Sequence, residues 1–210
     1  MLIPVSPLRL IVGLGNPGPQ YVQTRHNAGF WLADELARQQ GCIFHPDSDI
    51  HGDLCRITVS GQVLWLLKPM TFMNRSGLSV ATLARFHRIP LLEILIVHDD
   101  LDLPPGTVRL KRAGGHGGHN GLRDLITQLG GNDFLRLRIG IGHPGGSRAA
   151  LDYVLGRAPQ SEQVPIERAI TDALRELPCM IAGQWDRAMR TLHSRHIAVN
   201  NLASDSPTRP

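Results

Sequence analysis

Leu8-Arg9-Leu10-Ile11-Val12-Gly13, running on into Leu14-Gly15-Asn16-Pro17-Gly18-Pro19, decides the architecture. Apart from Arg9, the first six residues form a short continuous apolar run, the pattern of a strand buried on both faces of a sheet. The next six fit G-x-G-x-x-G after a strand, the spacing of a dinucleotide-binding turn. Such a site needs a helix that begins inside the glycines, so that its unpaired N–H groups meet the pyrophosphate. Pro17 and Pro19 remove two of those donors and push the residues before them out of helical geometry. Asn16-Pro17-Gly18 therefore reads as a turn. A nucleotide-dependent oxidoreductase is the weaker interpretation of this stretch.

Outward from that strand, helices and strands alternate. Asn27 to Gln40 carries apolar residues at helical spacing and stops at Gly41. Leu54–Ser60 and Gln62–Lys68 flank Gly61 as a hairpin. Lys68–Arg75 reads as a loop, with Asn74 or Ser76 capping a helix that ends at His87. Ile94–His98 is a second buried strand, and it delivers Asp99, Asp100 and Asp102 to its C-terminal end. Thr107–Arg112 is a strand, Ala113–His119 a glycine-rich loop, and Asn120-Gly121 opens a helix over Leu122–Leu129. Leu135–Gly142 is a strand with Arg136 and Arg138 on one face and Leu137 and Ile139 on the other. A short helix over Ala149–Leu155, a longer one from about Ser161 to Gly183 broken near Pro178, and a last one over Trp185–His196 complete the pattern. The prediction is an α/β fold: one domain over 1–199, a three-layer αβα sandwich with a twisted mixed sheet, then a disordered tail from Asn200 to Pro210.

Composition narrows the setting. Hydrophobic residues are 42% of the 210, as in a globular chain. Cys42, Cys55 and Cys179 lack metal spacing and leave an odd thiol, which favours a reducing, cytoplasmic compartment. Met1 to Pro7 has no basic region before an apolar core, and no apolar run is long enough for a bilayer, so neither a signal peptide nor a membrane partner is expected. The net charge of +4 suits a polyanionic partner. Arg109, Lys111, Arg112 and Arg123 fall between Thr107 and Arg123 with no acidic residue, and Arg187, Arg190 and Arg195 form a second group. Scattered charges are ordinarily solvated faces, but a basic run beside a glycine-rich loop also fits phosphate contact.

His26 follows a Gly/Pro turn and precedes a helix, at the sheet edge where open α/β folds place ligands. Read alone, a structural first-turn histidine hydrogen-bonded to a neighbour is the favoured reading. Asp99, at the end of a buried strand, would fix the imidazole tautomer and stabilise its charged form. Asp100 and Asp102 are alternatives for that role. Asn16, Asn74 and Asn120 read either as turn residues or as neutral donors that orient water and carbonyl oxygens. His116 and His119 lie in a flexible glycine loop without a third ligand, so no metal is expected there. Backbone N–H groups of Gly114–Gly118 suit a phosphate or a chain terminus better. G-x-S-x-G is absent, which removes support for a serine nucleophile.

Five stretches together closely resemble the bacterial peptidyl-tRNA hydrolase family: Ile11 to Gly18 leading through Tyr21 to Thr24-Arg25-His26-Asn27-Ala28-Gly29; Lys68-Pro69 through Met73-Asn74 to Ser76-Gly77; His98-Asp99-Asp100-Leu101-Asp102-Leu103-Pro104; Gly114 to Arg123; and Arg136 to Gly145. The resemblance covers roughly Leu8 to His196. It implies cleavage of the ester between a peptide and the 3′-terminal ribose of tRNA. It further implies that His26 activates water and that Asp99 orients His26. Asn16, Asn74 and Asn120 would position substrate and water, Tyr21 and Met73 would line the same cleft, and Lys111 and Arg138 would hold RNA phosphate. No metal or organic cofactor is implied, and the family is typically monomeric. Gly130-Gly131-Asn132-Asp133 is shortened relative to the family loop, and the first seven residues and the tail lie outside the pattern.

Overall fold

The computed structural model describes residues 7–145 and 150–204. Among them, β1 (Leu10–Gly13), β2 (His45–Asp47), β3 (Gly52–Val59), β4 (Gln62–Pro69), β5 (Ile94–Asp100), β6 (Val108–Arg112) and β7 (Leu135–Gly140) form one sheet in the order β2-β3-β4-β1-β5-β7-β6. β4, β1, β5 and β7 run parallel, and antiparallel pairs at both edges make the sheet mixed. The helices are α1 (Ala28–Gln39), α2 (Ser76–Phe86), α3 (Asn120–Leu129), α4 (Ala150–Val154), α5 (Gln160–Ile181) and α6 (Trp185–Ser204).

The period-two geometry of a strand divides the central residues between two cores. Ile11, Leu95, Val97 and Leu137 point to the layer containing α1, α5 and α6. Leu10, Val12, Ile94 and Ile96 point to the layer containing α2 and α3. A strand apolar on both faces can be covered only by helices on both faces, which is the three-layer αβα arrangement expected. The same alternation sends Asp99 toward α1 and His98 toward α3.

At α1 the contact is made by backbone. A Cβ on Gly29 would lie 2.5 Å from the carbonyl oxygens of Leu14 and Val97. The missing side chain lets the first turn of α1 rest directly on the ends of β1 and β5. No helix begins inside Gly13–Gly18, so the dinucleotide pattern does not form its site.

Several local expectations change. The hairpin turns at Ser60-Gly61, both with positive φ (52° and 79°), the two-residue turn whose twist matches antiparallel strands. Neither Asn74 nor Ser76 caps α2 with its side chain: Met73–Arg75 is a 3-10 turn, and the Ser76 hydroxyl donates to the Met73 carbonyl at 2.9 Å. α5 passes through Pro165 and Pro178 unbroken and has no side-chain cap at its start. Buried Leu174, Leu177, Met180 and Ile181 hold it against the sheet on both sides of Pro178, so packing outweighs the lost helix bond. α6 runs over Trp185–Ser204, past the expected helix end at His196. Residues 205–210 of the expected tail, the first six residues and the expected helix start at Ala149 lie outside the described residues.

Candidate active site

His26 sits in a single 3-10 turn, Arg25–Asn27, that leads straight into α1. Its neighbours fix that turn. The buried Arg25 guanidinium donates twice to Glu162 on α5 (3.3 and 2.9 Å) and once to the Tyr153 carbonyl on α4 (3.2 Å), and it stacks 4.0 Å above the Tyr153 ring. Asn27 clasps Asn16, accepting its N–H at 2.9 Å and donating to its carbonyl at 3.0 Å. The Asn16 side-chain oxygen in turn accepts the Met73 N–H at 2.8 Å. With that oxygen engaged, Asn16 offers its amide N–H groups.

Asp99 Oδ1 accepts from two imidazoles, His26 Nδ1 at 2.8 Å and His119 Nε2 at 3.1 Å. His119 caps α3: its Nδ1 accepts the N–H groups of Gly121 (3.1 Å) and Leu122 (3.3 Å). An Nδ1 that accepts carries no proton, so His119 is the Nε2–H tautomer and donates to Asp99. Burial alone would raise the Asp99 pKa. The charge of His26 and the N–H donors of His26 and His119 outweigh it and hold the carboxyl well below the usual carboxylate range. His26 is the mirror case: burial lowers its pKa, but the charge and hydrogen bond of Asp99 together raise it above 6.5. In neutral His26 the proton stays on Nδ1, toward Asp99, which leaves the Nε2 lone pair free to accept a proton. His98 Nδ1 donates to the Asp99 carbonyl at 2.7 Å, and burial pushes its pKa down to about 3, so it is neutral.

These groups open on a cleft of about 490 Å³. Of the residues expected in the site, His26, Asp99, Lys111, Asn120 and Arg138 line it. Lys111 and Asn120 are exposed. Arg138 is ion-paired with Asp100 at 2.6 Å, which engages Asp100 and leaves Asp99 as the carboxylate facing His26. Arg136 is buried and donates to the Gly114 and Gly115 carbonyls, pinning the glycine-rich loop. The N–H of Gly118 in that loop donates to His116 Nδ1 at 3.1 Å and is not a free anion donor.

Asn16, Tyr21, Met73 and Asn74 stand outside the cleft walls. Asn16 joins the site through Asn27, next to His26. Met73 is buried, its sulfur packed where a Gly121 Cβ would fall. Tyr21 meets the exposed Phe72 edge-on at 6.5 Å, and Asn74 is exposed on the turn before α2. Sequence reasoning missed His119, Asn27 and Arg25. For the latter two the signal was adjacency to His26; for His119 it was a polar residue directly before a helix, the N-cap pattern.

His26, Asp99 and His119 present ligand atoms within 4.8 Å of one another, a spacing compatible with a metal ion. The donor set opposes one. The cap at Nδ1 keeps the His119 proton on Nε2, the atom a metal would need, so an ion there must displace that proton and disturb the cap. The arrangement instead supports proton transfer.

Similarity to known proteins extends over most of the chain. The family profile described as peptidyl-tRNA hydrolase matches residues 10–200. A peptidyl-tRNA hydrolase of Azotobacter vinelandii is 54% identical over 192 residues, 91% of this chain and 99% of that protein. One from Methylococcus capsulatus is 55% identical over 186 residues, 89% and 99% of the two chains. The crystal structure of peptidyl-tRNA hydrolase from Acinetobacter baumannii superposes with a TM-score of 0.86 at 49% identity, covering 88% of this chain and 94% of that one.

Proposed function

The chain belongs to the peptidyl-tRNA hydrolase family, and from that premise we propose that it hydrolyses the peptide–ribose ester of peptidyl-tRNA with His26 as general base and Asp99 as its orienting acid. The observation that carries this reading is the shared Asp99 oxygen, 2.8 Å from His26 Nδ1 and 3.1 Å from His119 Nε2, beside a cleft that also offers the exposed cation Lys111. Neutral His26 takes a proton from water at Nε2 as the water oxygen attacks the ester carbonyl carbon. The carbonyl oxygen becomes the oxyanion. Amide N–H groups of Asn120, which lines the cleft, would stabilise it, and Asn16 and Asn74 would have to reach it from outside the cleft walls. When the C–O bond to the ribose breaks, the imidazolium returns its proton to the departing 3′ oxygen. Asp99 stays ionised throughout and offsets the transient charge on His26. His119 keeps the carboxylate in place, and Arg25 and Asn27 keep the turn in place.

Lys111 and Arg136 are the cleft cations with no ion pair among those described, and Arg136 is buried on the Gly114 and Gly115 carbonyls, so exposed Lys111 is the main phosphate contact in this reading, while Arg138 acts as a pair with Asp100. Tyr21, beside exposed Phe72, suits the apolar part of a peptide. No metal or organic cofactor enters the reaction. One chain carries every group used, which supports action as a monomer, and the substrate supports work in the cytoplasm. Among the described residues no helix is long and apolar enough to cross a membrane.

The test is incubation with an N-blocked aminoacyl-tRNA and with the same aminoacyl-tRNA left unblocked. Release of free tRNA from the blocked substrate alone is expected. Release from neither, with tRNA still bound, would replace this reading with RNA binding without catalysis.

A further inference from the structure

A second cluster lies on the α2 side of the sheet, at the far end of the parallel strands. Arg9 leads into β1 and Glu93 into β5, whereas those strands end toward the cleft at Gly13 and Asp100. At about 3.3 Å per residue, the length of β5 separates the two regions by roughly 20 Å. Here Arg56, Trp65, His87 and Phe86 form a ladder. The Arg56 guanidinium lies 5.2 Å above Trp65, the Trp65 and His87 rings are 4.7 Å apart and tilted by 30°, and His87 meets Phe86 edge-on at 4.9 Å. Phe86 ends the ladder 78% exposed, the most exposed large apolar side chain among the described residues.

The surroundings are cationic. Arg56, Arg85 and Arg88 are exposed, and Arg9 binds the His87 and Arg88 carbonyls at 2.9 and 3.1 Å. Glu93 is the carboxylate that faces them, half taken up by Arg9 at 3.4 Å. Arg88 holds the left-handed position after α2 (φ 50°), so a cation stands where glycine is the usual residue. His87 is neutral: burial, then the charges of Arg9 and Arg56, lower its pKa. An acidic protein would match the charge but has no use for a ladder ending in an exposed ring. A chain of bases and phosphates matches both, because every base has a π face and every nucleotide a negative charge.

We propose that this face binds single-stranded RNA, with a base stacked on Phe86 and phosphates on Arg56, Arg88 and Arg9, as a contact separate from the one that holds substrate in the cleft. It does not rest on the hydrolase reading, since loss of turnover with oligonucleotide binding intact would strike that reading alone.

The experiment follows the fluorescence anisotropy of a labelled oligouridylate at low salt, with the full chain and the cleft filled by excess deacylated CCA-ended minihelix. Phe86→Ala/Arg56→Gln alters two exposed side chains and so leaves the fold in place. The double variant is expected to bind about tenfold more weakly or worse. Its log affinity should also fall less steeply with log salt, by about 0.7 because Arg56 no longer neutralises a phosphate. Its kcat/KM on peptidyl-tRNA should match the parent. Three results would each overturn the proposal: no oligouridylate binding once the minihelix fills the cleft, unchanged affinity in the double variant, or equally tight binding of polyglutamate, which would point to an acidic protein instead.

Discussion

Gly29→Ala separates packing from helix propensity because the two predict opposite signs. In a helix the change by itself stabilises by up to about 1 kcal/mol. Here the new Cβ meets the Leu14 and Val97 carbonyl oxygens at 2.5 Å, while ordinary van der Waals contact begins at 3.4 Å. Both partners are backbone, so no rotamer relieves the clash, and α1 must lift by about 0.9 Å. Overpacking of this kind costs about 3 kcal/mol at its usual upper end, for a net loss of about 2 kcal/mol. For a chain of this size that lowers Tm by about 4–8 °C. The lift also carries the His26 turn away from Asp99, stretching the 2.8 Å bond to about 3.7 Å, beyond hydrogen-bond range. Misplacement on that scale costs roughly 100-fold in rate. Calorimetry and kcat measured well below the Tm check both. A variant with an equal or higher Tm and full activity would refute the claim that backbone contact at Gly29 positions His26.

Asp99→Asn removes the charge that raises the His26 pKa and leaves burial, which lowers it. Since the neutral base is the active form, the acid limb of the kcat/KM profile should move to lower pH while the plateau falls by roughly 100- to 10,000-fold; an unmoved limb would mean that the titrating group is not His26. His119→Ala removes the α3 cap, at about 1 kcal/mol, and one of the two donors to Asp99. Thermal melting should drop and kcat with it, and rescue of kcat by His119→Asn without a rise in Tm would separate the two roles the wrong way. Lys111→Ala should raise KM, leave kcat close to the parent, and flatten the dependence of log affinity on log salt by about 0.9. A fall in kcat alone would remove Lys111 from phosphate contact.

The strands that build the site were readable because Leu10–Gly13 and Ile94–His98 are apolar on both faces, and only a doubly covered sheet buries such runs. Asp99 followed from its place at the end of one of them. His119 was not readable as an Asp99 partner, because its approach depends on the path of a glycine-rich loop whose conformation Arg136 sets from another strand. Read beside His116 it resembled half of a metal pair; folded, it is a helix cap. Pro178 misled for a related reason: local propensity argues for a break, and the apolar contacts that outweigh it come from distant parts of the chain. β2 gives no periodic signal at three residues, one of them Pro46. Arg138 was singled out for its charge, but its partner Asp100 lies across a strand pairing that spacing does not reveal.

The most direct test is His26→Ala assayed twice on the same N-blocked aminoacyl-tRNA, once for binding and once for single-turnover release of tRNA. Binding close to that of the parent, with release abolished, is the predicted result. Release at the parental rate would remove His26 from the chemistry and leave Asp99 and His119 without a base to serve.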